Sequence, residues 1–138
     1  MAGKAKVSGT VAAGFPSSAE QYLEPPLDLN DLLVKRPAAT YFVRVEGDSM
    51  IGAGIHDKDL LVVDRSLRPA DGDIIIASVD GEFTVKTLRL ENGERGTGND
   101  RVVRLEPANR KYHAITLKRG QQLDYFGKVT ACIHQFNA

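Results

Sequence analysis

Two short segments of the chain carry residues that could act together in acyl transfer. Ser49 lies in the turn-like sequence Gly47-Asp48-Ser49-Met50, and Lys86 lies in the apolar run Phe83-Thr84-Val85-Lys86. A serine hydroxyl becomes an effective nucleophile when an adjacent base accepts its proton. Each segment alone is commonplace, because such a serine usually makes local hydrogen bonds and a lysine on a strand is usually solvated. Together they predict a nucleophile and its base.

The other candidate bases and nucleophiles are less well supported. His56, His113 and His134 show no triad or metal-ligand spacing, so we expect them to be surface or structural residues and predict no metal site. Cys132 lies in an apolar run, and we expect it to be buried and inert. Lysine is therefore the favoured base.

A lysine base must be neutral, and its surroundings have to make it so. With an ordinary pKa of about 10.4, roughly one lysine in 2,500 is uncharged at pH 7. Burial disfavours the ammonium form, and Phe83, Val85 and Leu88 would supply apolar walls around Lys86. We expect the backbone N–H groups of Ser49 and Asp48 to hold the oxyanion of a tetrahedral intermediate.

Strand-like segments dominate the chain after residue 40. Short runs rich in Val, Ile, Phe and Tyr, separated by Gly, Asp and Pro, predict strands. The predicted strands are Tyr41–Glu46, Asp59–Asp64, Asp73–Val79, Glu82–Leu90, Arg101–Leu105, His113–Leu117 and Leu123–Ile133. Asp80-Gly81 predicts a two-residue hairpin turn, and residues 92–100 predict a mobile hairpin loop. The fold class is mainly β, a folded antiparallel sheet or partly closed barrel.

The start of the chain has a different character. Residues 1–26 are rich in Gly, Ser, Ala, Pro and Glu, which predicts a flexible N-terminal arm in front of a domain over residues 27–138. One short helix is expected behind a capping Asp28, with Leu29, Leu32 and Leu33 on one face, before Pro37.

Composition excludes several classes of protein. The 138 residues carry 18 Lys+Arg and 18 Asp+Glu, so the basic surplus typical of direct nucleic-acid binding is missing. A single cysteine indicates no disulfide, and no segment is long and apolar enough to be a membrane span or a secretory leader. We expect a cytoplasmic protein that does not bind a membrane.

Several motifs, in order along the chain, resemble the UmuD proteins of error-prone repair, relatives of the LexA repressor and of self-cleaving phage repressors. The resemblance runs from about Val11 to Gly127 and includes Ala13-Gly14-Phe15-Pro16-Ser17, Gly47-Asp48-Ser49-Met50, Asp59-Leu60-Leu61-Val62-Val63-Asp64, Gly72-Asp73-Ile74-Ile75-Ile76-Ala77 and Asp80-Gly81-Glu82-Phe83-Thr84-Val85-Lys86. The spacings also fit, with 37 residues from Ser49 to Lys86 and 36 from Ala13 to Ser49.

The resemblance implies a fold like that of the LexA C-terminal domain and of signal peptidases. It implies that Ser49 attacks the carbonyl of Ala13, that Lys86 takes the serine proton and passes it to the amine of Gly14, and that no cofactor takes part. It further implies stimulation by a RecA filament on single-stranded DNA. The processed homodimer would then join a UmuC-like subunit of a Y-family polymerase for translesion synthesis.

Three features depart from the family pattern. Twelve residues precede Ala13, fewer than the family usually has. Lys58 stands between two aspartates where the family usually has glycine, and the loop at residues 92–100 is longer.

Three alternatives remain open from the residues alone. A LexA-like or phage repressor shares the cleavage chemistry, but the segment before Ala13 shows no helix-turn-helix periodicity. A leader peptidase shares the Ser/Lys pair, but no membrane-binding segment is evident. A non-catalytic interaction module would keep Ser49 and Lys86 as relics.

Overall fold

The computed structural model of the chain describes residues 5–6, 26–92 and 101–136. The chain divides into two compact units, Met1–Lys35 and Arg36–Ala138. Much of the predicted arm, with the Ala13–Gly14 bond, lies outside the described residues, and so does most of the predicted loop at 92–100. The division at residue 26 therefore stays a prediction.

The first unit contains a short ladder and the predicted helix. Strand β1 (Ala5–Lys6) pairs antiparallel with β2 (Pro26–Leu27), and helix α1 spans Leu29–Leu33. The Asp28 carboxylate accepts a hydrogen bond from the backbone N–H of Asn30 at 3.0 Å, which satisfies a donor that the first turn leaves free. The predicted helix and its cap are confirmed.

The second unit is built on one seven-stranded antiparallel sheet. Its strands are β3 (Thr40–Arg44), β4 (Leu60–Asp64), β5 (Ile74–Val79), β6 (Glu82–Asn92), β7 (Arg101–Glu106), β8 (Ile115–Thr116) and β9 (Leu123–Ile133). Every predicted strand is present, the one near residue 115 being shorter than expected. The order across the sheet is β3-β4-β9-β5-β6-β7-β8.

Strand β9 joins the two halves of this sheet. Its second half pairs with β4 and its first half pairs with β5, and Lys128 is the partner of both Asp64 and Ile75. The register shifts in both pairings near this point, as expected where bulges bend a strand. The sheet is therefore folded, and within the described residues it does not close into a barrel.

Each face of the folded sheet covers its own core. Consecutive residues of a strand face opposite sides, so Ile76 and Ile75 belong to different clusters. The first core is formed by Val45, Met50, Ile55, Leu61, Val63 and Ile76. The second is formed by Ile75, Ala77, Leu88 and Leu105. Among the described residues no helix is long and apolar enough to cross a membrane.

Candidate active site

Lys86 lies on β6, in a hairpin whose geometry is set locally. The Asp80–Gly81 turn has positive φ at both residues, 51° and 88°, as a tight two-residue turn requires, and Val79 pairs with Glu82 across it. The predicted hairpin is confirmed. Thr84 and Lys86 are two residues apart on the strand and so share a face.

Ser49 lies on an irregular turn that follows β3. Gly47 begins the turn with φ 93°, and its N–H donates to the Asp57 carboxylate at 2.7 Å. Met50, the residue after the serine, is only 1% exposed and packs in the first core. Ser49 is thus fixed between a glycine turn and a buried anchor.

A distant segment, residues 107–112, holds this turn in place. The backbone N–H of Ala108 donates to the carbonyl of Ser49, and its carbonyl accepts from the N–H of Gly52, both at 2.7 Å. The side-chain amide of Asn109 donates to the carbonyl of Asp48 at 2.9 Å. These bonds fix the peptide planes on both sides of the serine.

Glycine is required at position 52 because the two backbones approach closely. A Cβ atom there would lie 2.6 Å from the carbonyl oxygen of Ala108. That distance is shorter than any ordinary contact, and a backbone atom cannot turn aside. The sequence around Gly52 gave no sign of this partner.

The structure brings Ser49 and Lys86 together. Lys86 Nζ lies 3.1 Å from Ser49 Oγ, 2.7 Å from Thr84 Oγ1 and 3.1 Å from the carbonyl oxygen of Val85. Burial lowers the pKa of Lys86 from its ordinary value, since the amine is partly removed from water. Position and environment both fit the predicted base.

The side chain of Asp48 contacts Tyr112. The hydroxyl of Tyr112 donates to its carboxylate at 2.6 Å, and this hydrogen bond lowers the pKa of Asp48 and raises that of Tyr112. The side chain of Asp48 thus helps to anchor the turn, while its backbone N–H remains the group proposed for the oxyanion.

A cleft of about 410 Å³ opens beside the serine and the lysine. It is lined by Val43, Arg44, Val45, Glu46, Ser49, Leu61, Ile76, Phe83, Thr84, Val85 and Lys86. Most of these residues lie on β3, in the segment that follows β3, or on β6. More than half of them are apolar. Such a cleft suits an extended segment with small side chains at the reacting bond.

Some site residues were not evident from the sequence. Thr84 could have been found from its two-residue spacing to Lys86, which places both on one face of the strand. Asn109 and Tyr112 gave no such signal, because their contact with the turn depends on the tertiary fold.

Cys132 corrects an expectation. The residue is exposed, not buried, because the apolar run of which it is part lies at the end of β9. Its sulfur donates to the Asp59 carboxylate at 3.2 Å. Partial burial of the sulfur and this carboxylate raise the pKa of the thiol to about 11, so the expectation of an unreactive cysteine agrees with the structure.

Comparison with known proteins places the chain in a family. The family model described as Peptidase S24-like matches residues 6–130. Protein SamA of Salmonella typhimurium is 47% identical over 123 residues, covering 89% of this chain and 79% of SamA. Protein ImpA of Salmonella typhimurium is 46% identical over 123 residues, covering 89% and 78%. Protein MucA of Escherichia coli is 51% identical over 80 residues, covering 58% and 55%.

The matched region includes the whole folded sheet up to residue 130, with the turn that carries Ser49 and the strand that carries Lys86. The resemblance to the UmuD family that the sequence motifs indicated is therefore confirmed over most of the chain. The protein belongs to the Peptidase S24-like family and is a UmuD-like protein of SOS mutagenesis.

Proposed function

We propose that this chain is a serine peptidase that cleaves its own Ala13–Gly14 bond, with Ser49 as nucleophile and Lys86 as base. The observation that carries the proposal is the 3.1 Å separation of Lys86 Nζ from Ser49 Oγ beside an open cleft. This distance is within the reach of direct proton transfer. The peptidase-type fold of the family gives the pair its context.

Three oxygen atoms surround Lys86 Nζ, which can hold an ammonium as well as the neutral amine that the proposed reaction requires. A neutral amine has two N–H donors and one lone pair, whereas an ammonium has three donors and no acceptor. The two N–H groups can donate to Thr84 Oγ1 and the carbonyl of Val85, which leaves the lone pair for the hydroxyl proton of Ser49. In the neutral form, this arrangement directs the lone pair of the amine toward the serine hydroxyl.

The reaction then proceeds through an acyl-enzyme. Lys86 removes the proton as Ser49 Oγ bonds to the carbonyl carbon of Ala13. The C–N bond to Gly14 breaks, and the proton passes to the departing amine. Water, activated by the same lysine, hydrolyses the ester and leaves Ala13 with a free carboxylate. The products are residues 1–13 and 14–138.

Oxyanion stabilisation is assigned to the backbone N–H groups of Ser49 and Asp48. The carbonyl of Asp48 is bound by the side chain of Asn109, and the N–H of Ser49 belongs to the same peptide unit. Because a trans peptide holds its C=O and N–H on opposite sides, fixing the carbonyl also fixes the direction of that N–H. Such preorganised donors stabilise the charge that develops on the Ala13 oxygen.

The cleft suits the proposed substrate. Strand β3 is an edge strand of the described sheet, so its outer side can pair with an extended segment. Ala13 and Gly14 have small side chains that an apolar cleft can accept close to Ser49. Tethering the substrate raises its effective concentration, which lets a slow catalyst cut one bond.

The dyad is tested with the pure chain at about pH 10, without any partner. High pH neutralises Lys86, so the rate at which residues 1–13 are lost, followed by mass spectrometry, should climb with pH. Ser49→Ala and Lys86→Met should each stay uncut while circular dichroism shows an intact fold. Lys118→Met, at an exposed lysine, is the matched control and should cut at the native rate. Cleavage after Ala13 in either dyad variant would refute the assigned roles.

We further propose that the cleavage is regulated in the cytoplasm by RecA. A RecA filament on single-stranded DNA should increase the rate at neutral pH, whereas RecA without DNA should not. If the filament has no effect at neutral pH but cleavage at high pH persists, the dyad stands and the regulator is different.

The processed form is proposed to be a homodimer that serves a Y-family translesion polymerase. Residues 14–138 should sediment as a dimer and bind a UmuC-like polymerase subunit more tightly than the uncut Ser49→Ala chain does. Equal binding by both forms would show that cleavage does not create the polymerase-binding form.

A further inference from the structure

Two histidines that are far apart in the sequence meet around one buried carboxylate. His56, Asp59 and His134 each offer a donor atom, and these atoms all lie within 4.8 Å of one another. The side chain of Asp59 is only 2% exposed, while those of His56 and His134 are 46% and 38% exposed. The cluster is thus anchored inside the protein and open to solvent.

The sheet itself creates this juxtaposition. His56 and Asp59 lie on the loop before β4, and His134 directly follows β9. Leu60 pairs with Ile133, so the residues just outside both strand ends are brought side by side. The arrangement is built by the strand register and does not depend on a long flexible loop.

The present hydrogen bonds centre on the carboxylate. Asp59 accepts from the backbone N–H of His56 at 2.7 Å, from Cys132 Sγ at 3.2 Å and from Nδ1 of His134. His56 Nδ1 lies 3.7 Å from the same carboxylate, and the two imidazole rings are 4.8 Å apart. The two Nδ1 atoms therefore approach different oxygen atoms of the same carboxylate.

These donors are the ligands that zinc-class ions use. Imidazole nitrogen and carboxylate oxygen bind Zn²⁺ at about 2.0–2.2 Å, which in a tetrahedron separates neighbouring ligand atoms by roughly 3.4 Å. The 3.7 Å from His56 Nδ1 to Asp59 is close to this separation. For an ion to bind, the ring proton of His134 must lie on Nε2, so that Nδ1 is free to act as a ligand. The ring must also move slightly away from the carboxylate. Two nitrogen donors favour Zn²⁺ over Mg²⁺ or Ca²⁺.

We propose that His56, Asp59 and His134 form a binding site for a zinc-class divalent transition-metal ion, with solvent as the remaining ligand. The ion would tie the end of β9 to the loop before β4. That loop is bonded to the segment between β3 and the serine turn, since the carbonyl of Asp59 accepts a hydrogen bond from the N–H of Val45 at 2.9 Å. Binding to the folded state alone therefore stabilises this end of the sheet.

The test is a titration of untagged, metal-free full chain with Zn²⁺ at neutral pH. Isothermal titration calorimetry should give one ion per chain, and Zn²⁺ should raise the midpoint of thermal unfolding, whereas Mg²⁺ should not. His56→Gln and His134→Gln should each weaken Zn²⁺ binding by at least about tenfold. His113→Gln, at an exposed histidine, is the matched control and should keep the native affinity.

Circular dichroism at the titration temperature separates lost folding from lost ligation, because each variant must be folded when its affinity is measured. Cys132→Ser should retain the affinity, since the thiol is not among the proposed ligands. Absence of one-to-one binding would overturn the site. So would equal losses in His113→Gln and His134→Gln, or a loss confined to Cys132→Ser.

Discussion

Ser49 and Lys86 reach the same cleft by different means. Lys86 lies on a regular strand, and a two-residue hairpin turn places that strand in register with β5. Ser49 lies on an irregular turn whose carbonyl groups are held by a segment about 60 residues further along the chain. The base is therefore positioned by local structure, and the nucleophile by tertiary contacts.

Because of this difference, the hairpin that carries Lys86 and the turn that carries Ser49 should differ in their sensitivity to substitution. A change in the hairpin should be absorbed by the ladder that flanks it, because many other hydrogen bonds keep the strands in register. A change in the serine turn has fewer supports to absorb it. Substitutions of similar size should thus have unequal effects on stability and on the proposed cleavage.

Two glycine substitutions test this inequality directly. Gly52→Ala should lower the free energy of unfolding by about 2–3 kcal/mol, because its Cβ would meet a backbone oxygen and force the turn to move. Self-cleavage at high pH should fall by more than tenfold, since a shift of the nucleophile of about 1 Å is enough. Urea unfolding and mass spectrometry measure the two effects.

Gly81→Ala in the hairpin of Lys86 is the matched control. A Cβ at this position meets no atom within 4 Å, so the cost is only that of a left-handed backbone, about 1 kcal/mol. Cleavage should remain within about threefold of the native rate. A larger loss of cleavage in Gly81→Ala than in Gly52→Ala would reverse the proposed contrast.

Asn109→Ala should have the next largest effect. It removes the hydrogen bond that the side-chain amide donates to the carbonyl of Asp48 and the one that its oxygen accepts from the N–H of Lys111, so it should lower stability by about 1–2 kcal/mol. The rate of cleavage should fall further than stability alone explains, because the direction of the Ser49 N–H is no longer fixed. Equilibrium unfolding in urea and the cleavage rate at high pH, measured on the same preparation, separate the loss of stability from the loss of catalysis.

Tyr125→Phe provides a comparison away from the turn. Its hydroxyl also donates to a backbone carbonyl, that of Leu67, at 2.7 Å. It should reduce stability to a similar degree without an extra loss of cleavage. If both variants lose cleavage only in proportion to stability, Asn109 has no role in positioning the serine.

The contrast also explains what could be predicted from the sequence. The strands, the Asp80–Gly81 turn and the Asp28 cap each follow from neighbouring residues, and all are confirmed. The position of Lys86 on a strand also follows from neighbouring residues. Local rules were sufficient wherever the hydrogen-bond partners lie close in the sequence.

The rest depends on contacts between distant residues. The bond from Asn109 to the Ser49 turn spans 61 residues, and the pairing of His134 with Asp59 spans 75. Neither has a periodicity or a turn signal, because only the order of the strands brings these residues together. The histidines were therefore interpreted singly, although two of them share one carboxylate.

Lys86→Met should stabilise the chain in a pH-dependent way. Burial lowers the pKa of Lys86 in the folded state, so the folded chain binds fewer protons there than the unfolded chain and native stability rises with pH up to the ordinary lysine range. Methionine has no ammonium to desolvate. Its advantage should be largest below the lowered pKa of Lys86 and should vanish as the pH approaches the ordinary lysine range.

Thermal unfolding of both chains between pH 6 and pH 10, on a Ser49→Ala background to prevent cleavage, measures this difference. Lys118→Met, at an exposed lysine, should show no such trend. A Lys86→Met advantage that grows with pH would mean that the folded state favours the ammonium, which would count against Lys86 as the base.

The smallest predicted effect concerns Lys58, on the loop between the serine turn and β4. Its φ is 71°, in the left-handed region where a side chain costs about 1 kcal/mol and glycine costs nothing. Lys58→Gly removes this strain but increases the conformational entropy of the unfolded chain, so the free energy of unfolding should rise by only a few tenths of a kcal/mol. Asparagine adopts the left-handed conformation more readily than lysine and does not add the backbone freedom of glycine, so Lys58→Asn should raise the free energy of unfolding slightly more. Urea unfolding should therefore show that Lys58→Asn is the most stable, followed by Lys58→Gly and then the native chain. If both variants are less stable than the native chain, the lysine side chain itself stabilises this loop, and the departure from the family glycine is favourable.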